Sequence, residues 1–364
     1  MDKEKQIIEH IKNNPYISQQ ELANLVNISR SAVAGYIAAL TKKGIIKGRA
    51  YVLRDEKIVM CIGGANLDRK AYSKQKVTLH TSNPVTIKES CGGVARNIAE
   101  NLGRLGSTVM LMSGVGDDKE GKLLLQKTKQ HGVDVSQVWV FPTQNTGTYT
   151  AMLDQDGEMV VSLADMDIYD ALTPALFADK WPQINATEVV FIDTNIPEDA
   201  LQFIIERCKQ EDIPLYIDPV SSIKAQKLPH DLSGVKGMMP NLDEAEVLSG
   251  ISINSTEDAK QACKIMHERG VEQVIITMGE KGVYCSTEHD DQLLPPFSTE
   301  VVDVTGAGDA FASGLLYGIV QALPIIIACQ LGLAASMLTL QSEQSVSPEL
   351  SAEKLYSVIK EQTT

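Results

Sequence analysis

Residues 58–64 read Ile58-Val59-Met60-Cys61-Ile62-Gly63-Gly64. Five apolar residues in a row, closed by two glycines, have the pattern of a β-strand buried on both faces. The same pattern predicts strands at 109–112, 189–192, 215–217 and 274–277. Helical periodicity between them predicts helices over 94–105, 121–131, 197–210 and 256–269. Strands alternating with helices imply an α/β fold, a mostly parallel sheet with helices on both faces. Ligands then bind at the carboxyl ends of the strands.

Two segments break this rhythm. Residues 146–164 alternate with period two around Asp156-Gly157, a hairpin signal, and 85–87 read as a further short strand. Together they predict a small β lid over the site. Asp154, Asp156 and Gly157 have some of the spacing of a calcium loop, but the remaining ligands are missing, which favours a turn.

The chain of 364 residues is 43% hydrophobic and 22% charged, with net charge −14. Its length suits two or three domains. The charge is uneven: residues 1–55 hold nine Lys/Arg against five Asp/Glu, leaving 24 against 42 for the rest. This asymmetry suggests a small basic module on an acidic enzyme body, and it excludes a nucleic-acid binder by overall charge. The six cysteines form no Cys-x-x-Cys pair, so neither a disulfide scaffold nor a zinc site is indicated. No apolar run has the length of a membrane span and the start of the chain is not signal-like. A cytoplasmic protein is expected.

Residues 1–54 are expected to form one domain and 55–364 another. In the first, Ile7, Ile8 and Ile11 recur at helical spacing until Asn13-Asn14-Pro15. Ser18-Gln19-Gln20-Glu21 is a capping box opening a second helix, with Leu22, Leu25 and Val26 inward. Ser29 caps a third, with Val33, Ile37 and Leu40 buried and Gly44 at its end. Residues 45–53 alternate loosely, as a two-stranded wing would. This order resembles a winged helix-turn-helix, whose third helix enters the major groove. Arg30, Ser31, Tyr36, Lys47 and Arg49 would face DNA. The competing reading is a helical module for dimerisation or for contact with the enzyme body.

The chemistry is concentrated at 303–314, Asp-Val-Thr-Gly-Ala-Gly-Asp-Ala-Phe-Ala-Ser-Gly. Gly306, Ala307 and Gly308 precede a helical run, and amides freed at a helix N-terminus form a pocket for an anion. Asp309 stands at its mouth. Anion-binding amides beside a carboxylate are the parts needed to deprotonate a hydroxyl and steady a phosphoryl group. A glycine turn with a capping Asp is the simpler explanation.

Other motifs point to the same chemistry. Gly92-Gly93 precedes a helix that carries Asn97 in its first turn. Asn66 and Asp68 follow the first strand, where a carboxylate could bind a diol. Asn241 and Glu244 read as a helix cap, or as residues ordering water around magnesium. Thr277, Gly279 and Gly282 suit a phosphate chain or a hairpin. Gly116 to Lys122 fits most of a P-loop, but Leu123 stands where Ser or Thr should hold magnesium. That segment reads instead as a tight helix start.

In this order the segments resemble the ribokinase-like (PfkB) family of carbohydrate and nucleoside kinases, over essentially all of 57–364. The resemblance implies a three-layer α/β/α fold with a β lid, and transfer of phosphate from ATP to a hydroxymethyl group. It implies Asp309 as catalytic base, with the Gly306, Ala307 and Gly308 amides as anion hole. It places Asn66, Asp68, Gly92, Gly93 and Asn97 on the ribose, and Asn241 and Glu244 in the Mg2+–phosphate network. It places Thr277, Gly279 and Gly282 at the nucleotide. A potassium ion is common in such kinases, which makes Asp303 and Thr305 candidate ligands.

Within the family the chain resembles the branch acting on the C-nucleoside pseudouridine, through segments around 81–84, 145–146, 165–166, 193–195 and 218–224. Asp165, Asn195, Ser221 and Lys224 are the candidates for reading the base. Ala164 departs from the Asn expected there and leaves room for inosine or cytidine. The expected function is phosphorylation of a nucleoside 5′-hydroxyl. The alternatives are a ribokinase- or fructokinase-like sugar kinase, or a ligand-sensing regulator built on a kinase fold. A homodimer that contacts DNA through residues 1–54 is expected.

Overall fold

The computed structural model describes residues 3–14, 16–46 and 57–362. The chain divides into two units, Met1–Lys57 with Ala178–Thr187, and Ile58–Phe177 with Glu188–Thr364. The first contains the helices Lys3–Asn13, Gln19–Val26 and Arg30–Lys42 in its N-terminal segment and the short helix Trp181–Asn185 in its second segment. The capping box forms as read: Ser18 Oγ accepts from Glu21 N at 3.2 Å, and Glu21 Oε2 accepts from Ser18 N at 2.8 Å. Ser29 Oγ accepts from Ala32 N at 3.1 Å. Ile7, Ile11, Leu22, Val26, Val33, Ile37 and Leu40 meet in one small core.

Two expectations shift. Leu25 is 57% exposed, because the short second helix buries only the narrow stripe Leu22–Ala23–Val26. Tyr36 is half-buried against the core rather than freely presented. Lys47, Arg49, most of the expected wing and the boundary at 54/55 lie outside the described residues.

The second unit is built on a nine-stranded sheet. From one edge to the other its strands are Asp291–Leu294, Val283–Thr287, Gln273–Thr277, Val235–Met238, Leu215–Asp218, Val189–Asp193, Ile58–Ile62, Thr108–Met112 and Val133–Asp134. The seven from Gln273–Thr277 onward run parallel, and the first two add an antiparallel hairpin. All five residues of Ile58–Ile62 are buried, as the unbroken apolar run required. A second sheet orders Val85–Gly92, Asn66–Ser73, Thr148–Leu153 and Met159–Asp165. This is the expected lid, with Asp154 Oδ1 closing its turn by accepting from the N–H groups of Asp156 and Glu158.

Several strands went unread, three of them for a visible reason. Asn66–Ser73 has a mixed polar composition with no clean alternation, Val235–Met238 is short, and Asp291–Leu294 is an exposed edge. The rejected P-loop is a helix start in which Asp118 Oδ1 accepts from Gly121 N at 2.7 Å. The C-terminal helices Ala307–Val320 and Ile325–Leu340 approach closely because Gly314 lacks a Cβ, which would stand 2.4 Å from Leu331 O.

Candidate active site

The site lies where parallel strands end. Asp193 closes the strand Val189–Asp193 and is fully buried. Its Oδ2 accepts from Gly64 N and from Ala95 N, both at 2.9 Å, and its Oδ1 from Asn195 N at 2.9 Å. One carboxylate thus ties together the turn after the first strand, the Gly-Gly helix start and its own loop. Burial raises the Asp193 carboxyl, while the Gly64, Asn195 and Ala95 hydrogen bonds pull it down. The phenol oxygen of Tyr169 accepts from Ala65 N at 2.8 Å and completes the turn. Neither role was read from the sequence. The available signal was a lone acid ending an apolar strand at its carboxyl end.

The residues expected on a sugar gather here. Gly93, with φ 94°, caps the helix Val94–Arg104, and a Cβ there would stand 2.4 Å from Gly64 O. A Cβ on Gly92 would stand 2.1 Å from Asp68 Oδ2, so the paired glycines let the lid's first strand close onto the helix start. Asn66 Nδ2 donates to Asp68 Oδ1 at 2.6 Å. Burial pushes the Asp68 carboxyl up to about 6, opposed by Asn66 and by the charges of Arg96 and Lys70.

Asn97 is 5% exposed and donates from Nδ2 to Asp309 Oδ2 at 2.6 Å. Burial pushes the Asp309 carboxyl up to about 7; Asn97 and Arg96 lower it, and the charges of Asp193 and Asp68 raise it. An acid poised near neutral pH can accept a hydroxyl proton. Asp309 lies in the first turn of Ala307–Val320, whose N-cap Gly306 has φ 82°. Gly306 must be glycine, since a Cβ would stand 2.1 Å from Ser345 O. Gly308 has open space where its Cβ would be, room that a ligand oxygen could use. The Ala307 N–H spends itself on Val304 O at 3.3 Å. The amides of Gly306 and Gly308 make no such bond to the described residues, as expected at a helix start.

The nucleotide candidates also converge. Asn241 and Thr277 form an isolated bridge, and Thr277 N donates to Pro240 O at 2.9 Å. Gly279 and Gly282, with φ 56° and 92°, turn the hairpin between Gln273–Thr277 and Val283–Thr287. Glu244 forms the capping box with Asn241, accepting from its N–H at 2.9 Å and its Nδ2 at 2.8 Å. Burial raises the Asp218 carboxyl well above its usual range, and the nearby charges of Glu244 and Asp309 raise it further. Among the described residues no group of three or more His, Cys, Asp or Glu side chains is placed to cage a metal.

Asn195, Ser221 and Lys224 form a third group. A Cβ on Gly64 would stand 2.7 Å from Asn195 Nδ2, which sets Asn195 beside that turn. Lys224 Nζ donates to Asn195 Oδ1 at 2.5 Å, and Ser221 Oγ accepts from Lys224 N at 3.3 Å. Burial lowers the Lys224 ammonium, partly offset by Asp193. Strand register separates Asp165 from Asp68. The register partner of Asp165 is Thr148, which pairs with Leu67, while Asp68 pairs with Tyr149 and through it Ala164. Side chains alternate along a strand, so Asp165 belongs to the lid face opposite Asp68.

The expected potassium ligands are already engaged. Asp303 Oδ2 accepts from Lys70 Nζ at 2.8 Å, and Oδ1 from Thr305 N at 2.9 Å and Thr305 Oγ1 at 2.7 Å. Burial, which raises the Asp303 carboxyl, is outweighed by Lys70 and Thr305, so it is held low. A monovalent cation at Asp303 would share that carboxylate with the lid ammonium.

Residues 56–352 match the family described as pfkB family carbohydrate kinase, and residues 2–47 match winged helix-turn-helix DNA-binding. The chain belongs to the PfkB carbohydrate kinase family. It is 34% identical over 361 residues to the uncharacterized sugar kinase YeiI of Escherichia coli, covering 98% of this chain and 99% of that one. It is 36% identical over 308 residues to the pseudouridine kinase of the same organism, covering 84% and 98%. A solved carbohydrate kinase from Agrobacterium tumefaciens superposes with TM-score 0.75 at 32% identity, covering 84% of this chain and 97% of that one. This PfkB kinase is an ATP-dependent phosphotransferase acting on an alcohol group of a sugar or nucleoside, with a winged helix-turn-helix at its N-terminus. No helix among the described residues is long and apolar enough to cross a membrane.

Proposed function

We propose that this kinase phosphorylates the 5′-hydroxyl of a nucleoside, with pseudouridine the preferred acceptor. The observation that carries the reading is the Lys224–Asn195 pair beside the Gly64 turn, which supplies polar groups next to the sugar candidates Asp68, Gly93 and Asn97. Similarity to the Escherichia coli pseudouridine kinase supports it. In this reading Asp68 and Asn97 orient the ribose, and Asp309 accepts the 5′-hydroxyl proton as the oxygen attacks the γ-phosphate in line. The Gly306 and Gly308 amides take up charge on the transferred group, so catalysis is mainly positioning and charge stabilisation. Glu244 and Asp218 would serve a magnesium ion brought with ATP, which would neutralise phosphate charge. Ser221, through its bond to Lys224 N, holds Lys224 toward the base.

A site built to hydrogen-bond a base discriminates strongly against acceptors that lack the partner. Pseudouridine is therefore expected to lead uridine and free ribose by at least about tenfold in kcat/KM, read as ADP release across a nucleoside and sugar panel. A plain sugar at the head of that panel would overturn the nucleoside assignment and favour the sugar-kinase alternative, which the likeness to YeiI keeps in view.

We further propose that residues 1–54 bind DNA. The match of residues 2–47 to a DNA-binding family and the exposed Arg30 and Ser31 at the start of the third helix support this. Deleting residues 1–54 is expected to leave kinase turnover intact and abolish binding to genomic DNA fragments. Full-length binding should weaken with salt as counterions compete for phosphates, and it should require a dimer, since one small module buries limited surface. Loss of kinase folding on deletion would instead make the segment a structural appendage.

A further inference from the structure

Asn97 holds Asp309 by one end of an amide, and an amide can turn over. Its other end, Oδ1, accepts from Arg96 Nη2. Arg96 is 1% exposed, and its remaining contacts anchor it. Nε donates to Gly92 O at 3.0 Å, Nη2 to Cys91 O at 3.1 Å, and Nη1 to Glu100 Oε2 at 2.5 Å. Glu100 is held in turn by Arg104, at 2.8 Å from Nη2. A guanidinium carries donors only, whereas an amide has one donor end and one acceptor end. Turning Asn97 over would set its NH2 group against Arg96 and its oxygen against the Asp309 carboxylate. With Asn97 almost wholly buried, solvent cannot compensate either contact.

We propose that Arg96 is a positioning residue of the transfer site, fixing the Asn97 amide so that its N–H group, and not its oxygen, always faces the Asp309 carboxylate. The inference rests on the reading of Asp309 as the proton acceptor. The hydrogen bond favours the charged carboxylate against the burial that disfavours it. The charged groups facing Asp309 are Asp68 from the lid, Asp193 and Asp218 from the strand ends, and Arg96 itself. Those facing Arg96 are Asp309, Asp68, Cys91, Glu100 and His131. Burial holds His131 below its usual range, with Glu100 opposing.

Arg96→Lys keeps the charge but not the fork that grips Asn97, Glu100 and two carbonyls at once. Two readouts apply. One is the acid limb of kcat against pH. The other is the 13C carboxyl titration of Asp309 in the full chain without substrate, assigned by its absence in Asp309→Asn. In Arg96→Lys both midpoints should rise by roughly one pH unit, so that turnover falls about tenfold at pH 6 and recovers to within about threefold of wild type at pH 9. Arg96→Gln, which also removes the charge, should move them further the same way. In an Asn97→Ala background Arg96→Lys should move neither. His131→Asn should leave the wild-type midpoint in place; a moved midpoint there would hand the limb to His131 and overturn the proposal. A pH-independent loss of turnover with an unmoved Asp309 titration would reduce Arg96 to a structural role. The titration needs no turnover, so a normal shift in a protein that phosphorylates nothing would reject the kinase reading while leaving the Arg96–Asn97–Asp309 relation standing.

Discussion

Asp309→Asn is expected to lower turnover by roughly 10²–10⁴-fold, the scale of a lost general base, while leaving ATP binding largely intact. The amide cannot take the hydroxyl proton, but it keeps the shape of the helix start and an oxygen for Asn97 Nδ2. The same substitution should stabilise the fold at neutral pH. Burial raises the Asp309 carboxyl from 3.8 to about 7, so the folded chain holds a proton there that the unfolded chain has released. The linked stability is complete below about pH 4 and is lost as pH rises through 7. An amide at this position, which does not titrate, removes that loss. Melting curves should therefore show the variant indistinguishable from wild type near pH 4 and more stable at pH 8, a trade of stability for activity. Near-wild-type turnover would remove Asp309 as the base, and a lower melting temperature at pH 8 would contradict the buried, raised carboxyl.

Asp193→Ala should have the opposite stability signature. It strands the N–H groups of Gly64, Ala95 and Asn195, three donors with no other acceptor in the described residues. Each buried donor left unpaired costs about 1–3 kcal/mol, partly offset because a carboxylate is no longer buried. A fall in melting temperature of about 5 °C or more is expected for a unit of this size. Activity should fall with it. The Gly64 turn, the Gly93 helix start and Asn195 are positioned by the same carboxylate, and a shift of about 1 Å in a positioning group can cost about 10²-fold. Asp193→Asn should be milder, because its one remaining oxygen can still serve Gly64 and Ala95 together. Retained kcat/KM in a destabilised Asp193→Ala would show that the three loops hold their geometry without it.

Much of this was legible along the chain. Ile58–Ile62 and Val189–Ile192 announce themselves as unbroken apolar runs, and they are buried at every position. Ser18–Glu21 and Asn241–Glu244 announce helix starts, and both capping boxes form. Gly306 to Gly308 announce a turn feeding a helix, and the helix begins at Ala307. These signals share one property: the interactions behind them span only a few residues, so periodicity and spacing carry them. Where the local signal was weak it failed, as in the polar lid strand Asn66–Ser73 and at the outward Leu25.

The sequence by itself therefore determined the alternation of strands and helices, the helix caps, the lid hairpin and the residue types available for phosphoryl transfer. Tertiary structure decided what those residues can do. Asn97 meets Asp309 across 212 positions, Lys70 takes Asp303 across 233, and Asp193 reaches back 129 to Gly64. It also decided that Asp165 belongs to the lid face away from Asp68, because strand register depends on the partner and not on the strand alone. Proton affinity and donor–acceptor geometry depend on burial and on neighbours a few ångströms away. Those neighbours come from segments that only folding brings together.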